Sequence, residues 1–246
     1  MNEPTIRLPR QTHRLIQDID RCKRLIRHYI RHDAYVEYDW LGSPDAGDHD
    51  TLTRRQFWAI DGRMHAWVGP RSTQARDAFC RCWYDRPLPE IRDIPPDLDL
   101  VDGYDTEVQR GIDAVSELVS QMAGMDGVGD VAATKALHLL RPRFIAISDS
   151  RVRPLLGIDE TQLGGTTDGE WYAARAEAVQ RAIRALAQGN AAALDELHAY
   201  ANEIAPEIAT GLLGERVAAS KPPVKLSKAR VLDIVVWSHA RRADVG

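Results

Sequence analysis

Asp149 is the residue whose type and surroundings could most directly support chemistry. It lies between two serines, after the apolar run 144–147 and before a short, largely apolar segment that ends at Gly157. A carboxylate in such a position can activate a water molecule or stabilise a positive charge that develops on a substrate. An aspartate at the start of a helix is also a common N-cap, so a purely structural role stays open.

A glycine-rich turn, Gly127-Val128-Gly129, precedes this aspartate in the chain. Its glycines allow a tight turn and a close approach of the backbone to another molecule. The valine between them can anchor the turn in the core. The residues that follow predict a helix, whose first N–H groups form a binding site for an anion such as a phosphate.

The elements that must position these residues are mostly helices, because apolar residues recur at helical spacing along the chain. A short extended run is expected at 144–147, and the proline- and aspartate-rich stretch 85–104 is expected to be a connection. The predicted helices cover 11–32, a segment with Thr53 as its N-cap that contains Phe57 to Met64, 72–83, 105–124, 133–140, 170–187, a segment from the Gly189-Asn190 break to 204, 206–219, and a last helix with Ser227 as its N-cap.

The order of elements over 122–157 resembles the helix-hairpin-helix DNA glycosylases, the superfamily of endonuclease III and 3-methyladenine glycosylase. The shared features are the G-V-G hairpin, an alanine-containing helix, a proline, an apolar strand and an aspartate. The segment from Asp149 to Gly157, DSRVRPLLG, is similar to the family's D-T-H-V-R-R-L-L-G. The last helix, with its Arg230 and Trp237, is similar to the closing helix of that family.

The whole chain also resembles an uncharacterised group of bacterial proteins of unknown function. The similarity lies in the DxLT region (Asp50 to Thr53), the glycine hairpin, the aspartate and the RVLD…W ending. The specific glycosylase match covers only 122–157 in the middle of the chain, and the similarity of the last helix is more distant, whereas this second resemblance extends over the length of the chain.

The glycosylase resemblance implies a monofunctional enzyme, which hydrolyses the N-glycosidic bond of a damaged or modified base flipped out of duplex DNA. Asp149 would be the catalytic carboxylate. A DNA phosphate would be held by the hairpin residues Gly127, Val128 and Gly129. Auxiliary contacts to the DNA backbone would come from three cations, Lys135, Arg151 and Arg153. One of the two arginines could instead hold Asp149 ionised, and a surface role for both is an equal alternative.

Two features limit the chemistry that the resemblance implies. Val131 stands where bifunctional members have the lysine that forms a covalent intermediate, and Lys135 lies one turn further on. The product would therefore be an abasic site without strand cleavage. The chain has no C-terminal cysteine cluster, so no iron–sulfur cluster, other cofactor or metal is expected.

Asp130 and Ala132 depart from the family's pattern at the hairpin. A carboxylate at this helix N-terminus can occupy the same N–H groups as a phosphate and repel it. The alternative function is therefore a non-catalytic helix-hairpin-helix module that binds DNA or a protein. A third hypothesis is an enzyme that acts on a free nucleoside or nucleotide with the same carboxylate.

Several aromatic and histidine side chains could line a pocket for a base. Trp171, Tyr172 and Trp237 are candidates, but large aromatic residues at helical spacing more often belong to the core. His138 is predicted to be a packed or surface residue rather than a catalytic base. The free cysteines Cys80 and Cys82 are predicted to be two buried thiols on one helix rather than metal ligands.

Composition excludes several classes of protein. The net charge is −4 and charged residues make up 28% of the chain, as in ordinary globular proteins. Basic residues cluster within 7–31 and 221–242, so a basic face could form for duplex DNA if the two ends meet in space. No run of apolar residues is long enough to span a membrane and no secretory signal is present, so a cytoplasmic location is expected.

These observations together predict a mainly helical, all-α fold with the two-lobed architecture of a helix-hairpin-helix glycosylase. The expected unit is a single one, 1–246. Its N-terminal helical region is 1–104, its helix-hairpin-helix core is 105–160, and the C-terminal helices of 161–246 return to that core. The hairpin and Asp149 would lie at the cleft where the lobes meet.

Overall fold

In a computed structural model, helices of very different lengths make up most of the described part of the chain. The structure describes residues 8–31, 38–39, 50–53, 56, 72–83, 88–125, 127–213 and 225–243. The helices in these ranges are α1 (Arg10–Arg14), α2 (Ile19–Ile30), α3 (Ser72–Trp83), α4 (Asp105–Ala123), α5 (Asp130–Leu140), α6 (Val152–Leu155), α7 (Asp168–Gln188), α8 (Ala191–Leu213) and α9 (Lys228–Ala243). Short 3-10 helices occupy Pro89–Asp93 and Glu160–Gln162. The described residues form no β-strand, which confirms the predicted all-α class.

Local signals start the helices where the sequence predicts. The Thr167 hydroxyl and the Glu170 carboxylate form a reciprocal capping box at the start of α7. The Ser227 hydroxyl accepts the N–H of Arg230 at 3.1 Å, which confirms it as the cap of α9. Thr53 and Gln56 bond to each other in the same reciprocal manner, and this supports the predicted cap. The helix predicted through 57–64 lies outside the described residues.

Two predicted helix boundaries are wrong. The segment 11–32 is split into α1 and α2, because Asp18 turns the chain and its side chain accepts the N–H of Arg21 at 2.9 Å as a new N-cap. The break predicted before Pro206 does not occur, and α8 continues through that residue. An interior proline removes one helical hydrogen bond, at a cost of about 3 kcal/mol. The buried residues Ala205 and Ala209 on either side keep the helix packed against the core.

The run 144–147 is not helical, as predicted, but it has no partner strand among the described residues. Side chains provide its hydrogen bonds instead. The amide of Gln180 on α7 accepts the N–H of Ala146 and donates to its carbonyl oxygen, both at 2.8 Å. His138 on α5 lies 2.6 Å from the carbonyl oxygen of Ile145 through its Nδ1. The run that leads to Asp149 is therefore held between α5 and α7.

The most extensive helix packing is between α4 and α7, and α5 packs against both of them. Gly111 on α4 allows the run 144–147 to pack closely against this helix, because a Cβ atom there would lie 2.4 Å from the ring of Phe144. The helices α2, α8 and α9 pack together, and α9 also contacts α6 and α7. One hydrophobic core runs through all of these elements. The division at 104 and 160 stays a prediction.

The hairpin helix α5 is enclosed on nearly every side. Ten of its eleven residues are buried, and only Val131 is half-buried. The prediction of two buried thiols on α3 is wrong, since Cys80 is half-buried and Cys82 exposed. Residues two positions apart on a helix point to different sides, so both cannot face the core. No helix in the described part of the chain has the length and apolar character needed to cross a membrane.

Candidate functional site

The hairpin has the backbone geometry that its glycines predict. Gly127 is exposed and has a φ of +81°, which L-residues with a side chain rarely adopt. Val128 is buried, and its N–H donates to the carbonyl oxygen of Met125 at 3.0 Å. Gly129 is extended and precedes the first residue of α5. The ring of Tyr172 on α7 lies beside it, 3.5 Å from the position that a Cβ atom would take.

Asp149 lies on the turn between the extended run and α6, and it is half-buried. Its Oδ1 accepts the N–H of Arg151 at 2.9 Å, and its carbonyl oxygen accepts the N–H groups of Val152 and Arg153. This is an Asx turn that leads into α6, so the predicted capping role is present in part. The second carboxylate oxygen accepts no hydrogen bond from the described residues. The carboxylate is thus oriented through one of its oxygens.

Lys135 lies one helical turn after Val131 on α5 and is buried. Burial lowers the pKa of its ammonium group, while the carboxylates of Asp149 and Asp233 oppose that shift. Its amine therefore lies in the electrostatic field of the candidate catalytic residue. The sequence predicts that this lysine contacts the DNA backbone, but the structure places it in the interior.

A buried polar cluster lies directly behind the hairpin, and we call it the Asp130 cluster. Its members are Asp130, Ser148, Arg153, Glu160 and Arg175. The hydroxyl of Ser148 and Nη1 of Arg153 both donate to Oδ2 of Asp130, at 2.5 and 2.8 Å. Nε of Arg153 donates to Glu160 at 2.6 Å. Nη1 of Arg175 lies 3.7 Å from Asp130, and its Nη2 lies 3.3 Å from Glu160.

Burial raises the pKa of the Asp130 carboxyl from 3.8 to about 6, against the opposing attraction of Arg153. When Asp130 is ionised, the two carboxylates and the two guanidinium groups of the cluster carry no net charge. The charge of Asp130 is thus paired within the protein rather than directed at an incoming anion. The repulsion of phosphate that the sequence suggests is correspondingly reduced.

A second buried cluster, the Arg230 cluster, joins the closing helix to the same region. The guanidinium group of Arg230 donates to Asp39 at 2.7 Å, and it also donates to Asp233 and to the hydroxyl of Tyr29. The hydroxyl of Tyr38 donates to the backbone oxygen of Lys135 at 2.7 Å. These contacts connect α2, residues 38–39 and α9 to the hairpin helix.

Titration of the Arg230 cluster reflects its burial. Burial raises the pKa of Asp233 to about 6, and repulsion by Asp149 adds to this shift. The pKa of Asp39 is raised by burial as well. Burial lowers the pKa of His138, which stacks on Tyr38, to about 3. The prediction that this histidine is a packed residue is therefore confirmed.

The structure places some of the predicted site residues at the surface and buries others. The hairpin glycines, Asp149 and the exposed Arg151 lie at or near the surface. Arg153 has a side chain that is only 1% exposed and is paired with Asp130 and Glu160, so it supports the hairpin from within. Trp171 and Tyr172 are half-buried, and Trp237 is partly buried against the core.

Sequence reasoning missed both clusters. Arg175 and Glu160 carry no motif, and Ser148 stands out in the sequence only as a neighbour of the aspartate. One signal was accessible: Arg175 follows Trp171 by four positions, which places both on one face of α7. The pairing of Arg230 with Asp233, at a separation of three on α9, was another.

Comparison with known proteins places the chain in a class of proteins to which no function has been assigned. The chain belongs to the family of unknown function DUF6308, which matches residues 23–240. That range contains the hairpin, Asp149 and both buried clusters. No curated protein and no solved structure matches the chain. Any functional assignment therefore rests on the site itself.

Proposed function

We propose that this protein is a monofunctional DNA glycosylase-like enzyme, which hydrolyses the N-glycosidic bond of a damaged or modified base flipped out of duplex DNA. The observation that carries the proposal is the state of the Asp149 carboxylate. One oxygen is fixed by the N–H of Arg151, and the other has no partner among the described residues. A residue that serves only as a cap needs only its bonded oxygen, so the second oxygen of Asp149 is left for a substrate.

The proposed reaction uses that second oxygen. Cleavage of an N-glycosidic bond builds positive charge on the sugar, and a nearby carboxylate stabilises this charge or accepts a proton from the attacking water. The C1′–N bond breaks, water forms a new C1′–O bond, and the base leaves with a proton. The half-buried setting of Asp149 strengthens such an interaction, because fewer water molecules screen it.

The hairpin would position the DNA. Gly127 is exposed, and the first N–H groups of α5 would face a phosphate in a contact that does not depend on sequence. The position of the lyase lysine is taken by Val131, so the product would be an abasic site. The two-lobed arrangement of a glycosylase, with these residues at its cleft, is part of the same proposal, as is a cytoplasmic location.

The test is release of bases from duplexes that carry alkylated, deaminated or oxidised bases, with abasic sites detected by alkaline strand cleavage. Asp149→Asn should reduce the rate by about 10²- to 10⁴-fold, because asparagine can keep the bond to Arg151 but cannot act as a base. Asp159→Asn is the matched control. Asp159 is an exposed aspartate whose Oδ1 accepts the N–H of Thr161, two residues further on, at 3.0 Å.

The activity of Asp159→Asn should equal that of the wild type. The proposal fails if no substrate yields abasic sites above background, or if Asp149→Asn is as active as the wild type. Unfolding curves of both variants would show that the comparison is made between folded proteins.

A non-catalytic module that binds DNA or a protein is the second candidate. The observation that favours its protein-binding form is the burial of Arg153 and Lys135, two of the three cations predicted to contact DNA. If this candidate is correct, Asp149→Asn should bind the partner as well as the wild type does, and neither protein should release a base. Binding of duplex DNA that weakens with salt would identify the DNA-binding form.

A further inference from the structure

We infer that Trp171, Tyr172 and Arg175 form a platform beside the hairpin on which an unpaired nucleobase of DNA stacks. The choice of DNA as the ligand rests on the proposed function. The platform itself is distinct from the Asp149 site, and it would serve a base other than the one that is hydrolysed. It would recognise the disrupted stack that base flipping leaves behind.

The three side chains are arranged in close contact on the first turns of α7. The ring centroids of Trp171 and Tyr172 are 5.2 Å apart, with a tilt of 57° between their planes. The guanidinium carbon of Arg175 lies 4.2 Å from the centroid of the Trp171 ring and 5.4 Å from that of Tyr172. Both rings remain half-buried, so part of each is accessible to solvent. An aromatic pair with a cation against it is a usual composition for stacking on nucleobases.

Arg175 is fixed in place by the Asp130 cluster. Its terminal nitrogens face Asp130 and Glu160, and its side chain is only 9% exposed. Its Nε is buried and has no hydrogen-bond partner among the described residues. A guanidinium group that is held by its outer nitrogens loses little freedom when a ligand arrives, so the rings against it are preorganised.

The position beside the hairpin selects the ligand. Tyr172 lies against Gly129, the residue before the helix N-terminus at which a phosphate would bind. A strand whose phosphate lies at that point would bring its neighbouring bases towards the rings. Paired bases within a duplex are covered by their neighbours, whereas an unpaired base offers a free face. Every base has such a face, so the contact would not depend on sequence.

The test measures the affinity of fluorescently labelled oligonucleotides by anisotropy. A blunt duplex, the same duplex with one extrahelical thymine, and a single strand would be compared. Wild-type protein should bind the two forms with unpaired bases more tightly than the blunt duplex. Trp171→Ala should weaken binding of those two forms by roughly tenfold and leave the blunt duplex unchanged. Trp171→Phe should retain most of the preference, because a phenyl ring can still stack.

Tyr104→Ala provides the matched control. Tyr104 is an 80% exposed aromatic residue that precedes α4, and the hairpin follows the other end of that helix. The helix has 19 residues, so its two ends are about 28 Å apart. Removal of this ring should leave all three affinities unchanged. An equal effect of Tyr104→Ala and Trp171→Ala would overturn the platform.

The platform is also overturned if wild type binds blunt and bulged duplexes equally, or if Trp171→Ala weakens binding of all three DNAs to the same extent. Its failure can be distinguished from failure of the proposed enzyme. Release of bases without a preference for unpaired DNA would sustain the enzyme and remove the platform. A preference that depends on Trp171, with no base release, would sustain the platform and remove the enzyme.

Discussion

The buried carboxyl group of Asp130 should make the stability of this protein fall as the pH rises through the weakly acidic range. Burial holds the pKa of this group at about 6 in the folded protein, compared with an ordinary value of 3.8. The folded state therefore binds the proton more tightly than the unfolded state. The stabilisation is complete below the unfolded pKa and is lost as the pH rises through the folded pKa.

The size of this effect follows from the shift. A difference of about two pKa units, at about 1.4 kcal/mol for each unit, corresponds to about 3 kcal/mol. Asp130→Asn removes the titration but keeps the shape of the side chain. We therefore expect the free energy of unfolding of the wild type, minus that of Asp130→Asn, to fall by about 2 kcal/mol between pH 4 and pH 7, because the carboxyl of the unfolded chain is already more than half ionised at pH 4.

Urea unfolding at a series of pH values measures this difference, because contributions from groups common to both proteins cancel. Asp159→Asn is a control of opposite sign. Hydrogen bonds from Thr161 lower the pKa of Asp159, so the corresponding difference should rise with pH. If the free energy of unfolding of the wild type, minus that of Asp130→Asn, stays constant or rises with pH, the reasoning is refuted. Protonation of Asp130 would then not stabilise the folded protein.

Three further substitutions test the packing around the site. Gly111→Ala should destabilise the protein by about 1–3 kcal/mol in thermal unfolding, since its Cβ would clash with the ring of Phe144; an unchanged midpoint would contradict this packing. Arg141→Met should cost at least about 3 kcal/mol in urea unfolding, because the buried guanidinium group bonds to Asp50 and to backbone oxygens; wild-type stability would show those contacts to be dispensable. Thr167→Ala should cost about 1 kcal/mol by loss of the capping box, measured by thermal unfolding, and Thr167→Ser should restore it.

Sequence reasoning performed best where a structural signal is local. The boundaries of α4 follow from the spacing of its apolar residues and from Gly124 at its end. The starts of α7 and α9 depend on side chains within three residues of the first turn. These signals do not require knowledge of the fold. Pro206 is the exception, because tertiary packing outweighed a local signal.

Sequence reasoning failed where a residue is defined by partners that are distant in the chain. Arg153 bonds to Asp130, 23 positions away, and Arg230 bonds to Asp39, 191 positions away. The glycosylase resemblance predicts that Arg153 and Lys135 contact DNA at the surface, which is where charged residues usually lie. The packing of α5 determines that Lys135 lies inside, and the contacts of the Asp130 cluster determine the same for Arg153.

The nearly complete enclosure of α5 has a consequence for how the hairpin responds to a ligand. A helix whose residues are buried on all sides cannot open on its own, so its amide hydrogens should exchange with solvent only when the whole chain unfolds. The slowest exchange rates in α5 would then report global stability directly. A molecule that binds at the hairpin should slow exchange throughout the helix by a factor set by its full binding free energy. Exchange in α5 can thus detect a ligand whose identity and chemistry are not known in advance.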